Sequence, residues 1–338
     1  MCLEDLGMPK SKVLVTGGSG FIGSGLVRGL LAQGHHVRVF DNNSRGTLEN
    51  LHDILDQIEF VEGDIRHPEA VDAAVAGMEV VFHLAFINGT QYFYQYPKLV
   101  LDVGIRGHLN ISDSVAKTDS VHTFVFASSS EIYQSPNIIP TPENISGSIP
   151  DISNPRYSYA GSKLLGEILT SHYLEREGLK KIIFRPHNIY GPAMGFKHVI
   201  PQLAKKIVDA TQGFTQNAGS ITLQGDGLET RAFCYIEDAV AGTLLAAFQG
   251  EAGQTYNVGR EDEISMADLA RAMAGIYGVQ LTLKTSPKAP GGTPRRCPDV
   301  AKLRALGYTP RVSLKEGLQP TLSWYKNYYL RNLKNEAL

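Results

Sequence analysis

The sequence predicts an α/β chain: a doubly wound parallel sheet over residues 1–190, then a smaller C-terminal α/β lobe over 191–338, with some segments of the second part returning to the sheet. Three observations predict it. Short β-branched runs alternate with helix-like stretches through brief links, the pattern of parallel strands with crossover helices. The first run stops at a cluster of glycines that opens a helix, and the second ends on an acid, Asp41.

KVLVT (12–16) is apolar without alternation, as a strand buried on both faces requires. A helix is expected over 21–33, closed by Gly34, and HVRVFD (36–41) and IEFVEGD (58–64) read as the second and third strands. PEAVDAAVAG (68–77) reads as a helix closed by Gly77. EVVFHLA (79–85) and VHTFVFASSS (121–130) supply the fourth and fifth strands, a long helix spans 158–177, and KKIIFRP (180–186) is the sixth strand. Past Gly191 the alternation becomes irregular. SPKAPGGTPRRCP (286–298) is dense in proline and glycine and reads as a loop or lid. The opening MCLEDLGMPK has acids where a signal peptide needs a basic and then an apolar run, and reads as a short disordered lead.

Hydrophobic residues make up 43% of the 338 and charged residues 20%, a globular composition rather than a disordered one. The net charge of −2 gives no bulk reason to bind nucleic acid or an anionic membrane, and leaves room for a local basic pocket. No run is long enough to read as a membrane span. Cys2, Cys234 and Cys297 are too sparse for a disulfide framework or a zinc site, which points to a reducing cytosol. No cluster has metal-ligand spacing, so no metal is expected.

Gly17, Gly20 and Gly23 in TGGSGFIG are spaced GxxGxxG between the first strand and its helix. That context calls for a tight turn, a close backbone approach to a pyrophosphate and close helix packing, with the helix N-terminus aimed at the phosphates. Asp41 ends the next strand 18 residues past Gly23. A carboxylate there bonds the adenosine ribose hydroxyls and repels a 2′-phosphate, favouring NAD over NADP, although Arg45 is nearby. Asp64 and Ile65 in GDIR are placed to flank the adenine, or Asp64 simply caps a strand end. Tyr159 and Lys163 stand four apart in YAGSK, on one face of the predicted helix. An ammonium beside a phenol, together with an oxidised nicotinamide, favours the phenolate and makes a general base. The serine cluster of SSSEIY (128–133) falls at the end of the fifth strand, where sheet ligands bind.

These pieces resemble an extended short-chain dehydrogenase of the nucleotide-sugar epimerase/dehydratase family. VTGGSGFIG, DNNSRGTLENL, GDIR, HLA (83–85), SSSEIY, YSYAGSK, RPHNIYGP (185–192), TRAFCYIEDAV (230–240), YNVG (256–259) and PRRCPDVAKLRALGY (294–308) appear in family order over nearly the whole chain. The resemblance implies a Rossmann domain, tightly held NAD, a nucleotide-sugar substrate oxidised at C4, and a homodimer built on a four-helix bundle from helices near 99–117 and 159–177, which by sequence alone could equally just pack on the sheet. It implies that Ser129 bonds the sugar O4, Tyr159 is the base and Lys163 orients the cofactor. Cofactor contacts are implied for Gly17, Gly20, Phe21, Ile22, Gly23, Asp41, Asn42, Ser44, Arg45, Gly46, Asp64, Ile65, Leu84, Ala85, Ser128, Tyr159, Lys163, Pro186, Asn188 and Ile189. Substrate contacts are implied for Asn88, Thr90, Ser129, Ser130, Asn188, Arg231 and Arg296, with Asn188 and Arg231 at the diphosphate.

Glu131 discriminates within the family. A carboxylate two residues before the tyrosine resembles 4,6-dehydratases and UDP-glucuronate decarboxylases more than simple 4-epimerases, and it could remove a C5 proton acidified by a C4 ketone. A structural carboxylate is the alternative, and 4-epimerisation, which uses the same Ser129, Tyr159 and Lys163, stays open. A carbonyl reductase and a non-catalytic redox-sensing NAD binder are the other classes. Residues that would clamp a diphosphate oppose the first, and the presence of both Tyr159 and Lys163 opposes the second. His187, Gly104, His108 and Gln134 depart from the family pattern, Gln134 standing where a glycine usually follows SxxxY. The aromatic run NGTQYFYQYP (88–97) lines the sugar pocket or packs as a surface loop, and His83 reads as a core histidine.

Overall fold

The computed structural model describes residues 9–287 and 293–336. Seven parallel strands form the main sheet: β1 (Lys12–Thr16), β2 (His36–Asp41), β3 (Ile58–Glu62), β4 (Val80–His83), β5 (Thr123–Ala127), β6 (Lys180–Pro186) and β7 (Thr255–Val258), in the order β7-β6-β5-β4-β1-β2-β3. The eight main helices are α1 (Phe21–Ala32), α2 (Pro68–Val75), α3 (Gly107–Lys117), α4 (Ser158–Ile168), α5 (Val199–Ala210), α6 (Ile236–Gln249), α7 (Met266–Tyr277) and α8 (Leu314–Glu336).

Successive residues of each strand feed opposite faces of the sheet. Val13, Val15, Val37, Val39, Phe82 and Val125 pack on one side with α1 and α6, while Leu14, Phe40, Val81, Phe124 and Phe126 pack on the other with α2 and α3. Each fully buried side chain of this size contributes about 1.5–3 kcal/mol, which is why the uninterrupted apolar runs read as central parallel strands. A third core joins Ile200, Leu203, Ile207, Ile221, Leu269, Met273, Leu318 and Leu322 outside the sheet. Residues 236–258 belong to the sheet layer, with α6 covering it and β7 pairing in register with β6 from Thr255↔Ile183 to Val258↔Pro186.

Three local readings change. The fifth strand ends at Ala127 rather than 130, because Ser129 caps a 3₁₀ turn over Ser130–Tyr133. The long helix expected over 158–177 keeps α-geometry to Ile168 and then makes a π-helical turn, Leu169–Tyr173. The proline- and glycine-rich segment is not all loop: Gln280–Ser286 pairs with Ala218–Gln224, and Arg295–Arg296 pairs with Thr230–Ala232. Residues 288–292 of that segment, and residues 1–8 of the expected disordered lead, lie outside the described residues.

Candidate active site

The strand order reverses between β1 and β4, and a crevice opens beyond their C-terminal ends, where such sheets take ligands. The glycine turn is built for closeness. Gly17 has φ +73°, and a Cβ there would lie 2.6 Å from the Ala85 backbone nitrogen. A Cβ on Gly23 would lie 2.1 Å from the Gly17 carbonyl oxygen, so α1 is drawn down onto the turn only because neither residue has a side chain. α1 opens at Gly20 with no side-chain cap, and Gly20, Phe21 and Ile22 line the cavity with the helix start facing it. At the end of β2 the Asp41 carboxylate accepts from the Ser19 and Asn43 backbone N–H groups, at 3.0 and 2.9 Å. Arg45 is turned away from it, donating to the Asn88 carbonyl at 2.8 Å and lying over the Tyr92 ring. Arg66 and Asn42 occupy the Asp64 carboxylate; Arg66 is the main cause that lowers its pKa to about 2.

At the other end of the cavity Tyr159 projects from α4 and is 6% exposed, its ring stacked on Phe93 at 4.9 Å and edge-on to Phe86 at 5.3 Å. Burial pushes the phenol well above its ordinary range, Glu131 adds to that, and a hydrogen bond with Ser129 pulls it back. Lys163, one turn further, is buried and its Nζ donates to the Ala127 carbonyl at 2.6 Å, 3.7 Å above the centre of the Phe86 ring. Burial lowers its pKa to about 7, with Glu167 opposing. Within the chain itself Ser129, and after it Arg296, favour the phenolate.

Ser129 and Glu131 were expected on one side of an extended strand. The geometry differs: Ser129 is the last extended residue, and its Oγ accepts from the Glu131 backbone N–H at 3.1 Å as the turn begins. Both still face the cavity, because the turn, not strand alternation, brings Glu131 round. There Arg296 Nη1 donates to Glu131 Oε1 at 2.7 Å. Burial raises the Glu131 pKa, but Arg296, Arg156 and Arg231 outweigh it and hold the carboxyl below its ordinary value. Arg296 Nε is buried with no hydrogen-bond partner among the described residues. Beneath the turn, Ser128 Oγ donates to Glu167, Glu167 pairs with Arg185 at 2.6 Å, Arg185 donates to the Tyr133 hydroxyl at 2.6 Å, and Tyr133 donates to Asn257 at 2.9 Å. This satisfied network fixes the backbone from which Ser129 and Glu131 project.

Residues 13–259 match the model of the NAD-dependent epimerase/dehydratase family. The chain belongs to that family. It is 31% identical to a UDP-N-acetyl-α-D-glucosaminuronate decarboxylase of Bacillus cytotoxicus, over 94% of this chain and 98% of that one. It is 32% identical to a UDP-glucose 4-epimerase of Mycolicibacterium smegmatis, over 94% and 99%. Among solved structures, the Thermotoga maritima UDP-glucose 4-epimerase with UDP-glucose superposes with a TM-score of 0.82 at 28% identity, covering 94% of this chain and 99% of that one. The chain is therefore an NAD-dependent enzyme with a Rossmann sheet.

For this epimerase/dehydratase family member the cofactor fits the residues present: a glycine turn packed too tightly for any side chain at Gly17 or Gly23, an uncapped helix start lining the cavity, and the Asp41 carboxylate at the end of β2, whose oxygens keep spare lone pairs. All the residues predicted for cofactor, and Ser129, Ser130, Glu131, Asn88, Thr90, Asn188 and Arg296, line this one cavity. Arg231 does not. It sits in register beside Arg296 on the neighbouring strand and donates to the Thr230 and Thr293 carbonyls, each at 2.7 Å, with burial lowering its pKa to about 10. Sequence reasoning did not single out Phe86 and Phe93, which box Tyr159, or Lys197 and His198, which line the cavity from the lobe. Only the aromatic density of 88–97 hinted at Phe93. No described helix is long and apolar enough to cross a membrane.

Proposed function

We propose that the substrate is a nucleotide-linked hexuronate, that C4 of the sugar is oxidised first, and that the resulting 4-keto acid loses CO2. The Glu131–Arg296 pair carries this reading: a buried guanidinium shares the cavity with Ser129 and Tyr159 and keeps one donor, Nε, unpartnered among the described residues. A guanidinium fork matches a carboxylate in charge and geometry, so Arg296 suits the C6 carboxylate of a uronate.

Tyr159, bonded to Ser129, takes the O4 proton, and Ser129 holds O4 as the carbonyl forms. Bound NAD supplies the hydride acceptor for this oxidation and the donor for the reduction that ends the cycle. A 4-keto hexuronate is a β-keto acid. Its C5–C6 bond breaks with the electron pair passing into the C4 carbonyl, and C5 then takes a proton. No base at C5 is needed for that loss. Dehydration would need one, and Arg296 holds Glu131 below its ordinary pKa, which makes it a weaker base. The similarity to a decarboxylase over 94% of the chain supports the same choice. The similarity to a 4-epimerase supports a second reading, in which the ketone is reduced from its other face and no carbon is lost.

The test is incubation with UDP-, GDP-, dTDP- and CDP-hexoses, UDP-glucuronate and its 2-acetamido counterpart in deuterated water, with products read by mass. Loss of CO2 from a uronate, with one deuterium gained at C5, is expected. Loss of water from a neutral hexose would make the chain a dehydratase, and an unchanged mass without deuterium would make it an epimerase. We also read the face carrying Leu101, Ile168 and Tyr173, each about two-fifths to half exposed, as a homodimer contact in a cytosolic enzyme, to be checked by sedimentation.

A further inference from the structure

A closed ring of hydrogen bonds joins the turn that carries Glu131 to the lobe strand that carries Arg296. Gln134 Nε2 donates to the Glu131 carbonyl at 2.5 Å. The Thr293 hydroxyl donates to the Gln134 carbonyl at 3.1 Å, and Arg296 Nη2 donates to Thr293 Oγ1 at 3.3 Å. Arg296 Nη1 closes the ring on the Glu131 carboxylate at 2.7 Å. Gln134 and Thr293 are 5% and 4% exposed, so water competes little for these bonds.

Gln134 occupies an unfavourable backbone conformation, φ 52° and ψ −108°, that glycine adopts freely and an L side chain rarely does. For stability of the turn alone, glycine is the better residue. The side chain kept there, against that strain, ties the turn to itself at Glu131, and its carbonyl ties the turn to the lobe through Thr293. Thr293 in turn receives both neighbouring arginines, Arg296 at its hydroxyl and Arg231 at its carbonyl.

We infer that Gln134 and Thr293 are positioning residues that fix the Glu131 carboxylate and the Arg296 guanidinium relative to each other, and so set where the substituent on C5 of the sugar is held. The inference rests on the reading of Arg296 as a sugar-end contact. It predicts an unusual variant, one that gains or keeps stability while losing catalysis.

Gln134→Gly relieves the strain and removes the side-chain donor. Its unfolding temperature should equal or exceed that of the parent, NAD affinity should be unchanged, and kcat/KM for the nucleotide sugar should fall about tenfold, the scale expected when a reacting geometry loosens. Thr293→Val breaks the same ring elsewhere and should give a similar loss. Thr293→Ser keeps the hydroxyl and should restore most of it. Because both changes open one ring, the double variant should lose no more than either alone. Parental kcat/KM in Gln134→Gly, or losses that multiply in the double variant, would overturn the inference. Kinetics are measured on whichever nucleotide sugar the parent turns over. If that is a neutral hexose the uronate reading falls, while the ring is still judged by the same comparison.

Discussion

The two ends of the cavity are built by different means. At the end proposed for the cofactor the lining is mostly backbone: two glycines without room for a Cβ, a helix start without a cap, and one carboxylate held by backbone N–H groups. At the end proposed for the sugar it is side chain: Tyr159 boxed by Phe86 and Phe93, and Glu131 paired with Arg296 from 165 positions later in the chain. A backbone cradle suits a ligand that stays the same, since changing it means rebuilding the turn. A side-chain cluster can be altered one residue at a time, which is where a family sharing one oxidation step can vary its outcome.

The largest expected effect tests whether the ends are separable. Tyr159→Phe removes the one phenol at the reacting end and should lower turnover about 10²–10⁴-fold. It should leave NAD binding as it was, because the glycine turn and Asp41 lie at the far end of the cavity. Titration of cofactor-free protein alongside turnover checks both halves, and a matching loss of NAD affinity would show that the ends are one unit.

The same division explains what can be read in the residues before any fold is known. β1, β4, β5 and β6 are legible because each is a run largely buried on both faces, which leaves no alternation, β2 and β3 because they are short β-branched or aromatic runs that follow in order, and the glycine turn because its spacing is local. β7 is four residues long and returns to the sheet after an excursion through the lobe, so only its fit beside β6 identifies it. At the sugar end, Ser129, Glu131, Tyr159 and Lys163 are visible as short motifs, but their partners are not. Arg296 meets Glu131 across 165 positions and Thr293 meets Gln134 across 159, and nothing local encodes either contact. The end of the fifth strand is misjudged for a related reason: alternation is extrapolated through Ser129, whose side chain instead starts a turn.

Lys163 lines the same cavity and carries a buried charge. Its ammonium is buried, with a carbonyl and aromatic rings around it and no carboxylate in ion-pair contact among the described residues. Burial lowers its pKa from 10.5 to about 7. In cofactor-free protein the folded state therefore pays for a buried charge below pH 7 and sheds that penalty as the pH rises toward the unfolded value. Lys163→Met should stabilise the apoprotein by roughly 1–3 kcal/mol near pH 6. The gain should shrink steadily as the pH rises from 7 and vanish only above the unfolded value of 10.5, where the parent lysine is neutral in both states. Paired thermal melts across that range measure it. A gain that does not change with pH would mean that packing, not charge, sets the difference.

The smallest effect sharpens the cofactor end. Asp41 holds both carboxylate oxygens on backbone donors and lines the cavity, where we propose that it meets the adenosine ribose. A fixed negative charge there repels a 2′-phosphate, and Arg45, the nearby cation, is committed to the Asn88 carbonyl and the Tyr92 ring. Asp41→Asn preserves the shape and an acceptor oxygen while removing the charge. NAD should then bind somewhat more weakly and NADP more tightly, moving the ratio of the two dissociation constants by about tenfold, or ~1.4 kcal/mol. Product identity should not change, because the sugar end is untouched. If the ratio stays where it was, the carboxylate is serving the turn through Ser19 and Asn43 rather than reading the ribose. Arg45→Ala then becomes the informative variant, since a cation released from Asn88 could reach a 2′-phosphate that Asp41 does not exclude.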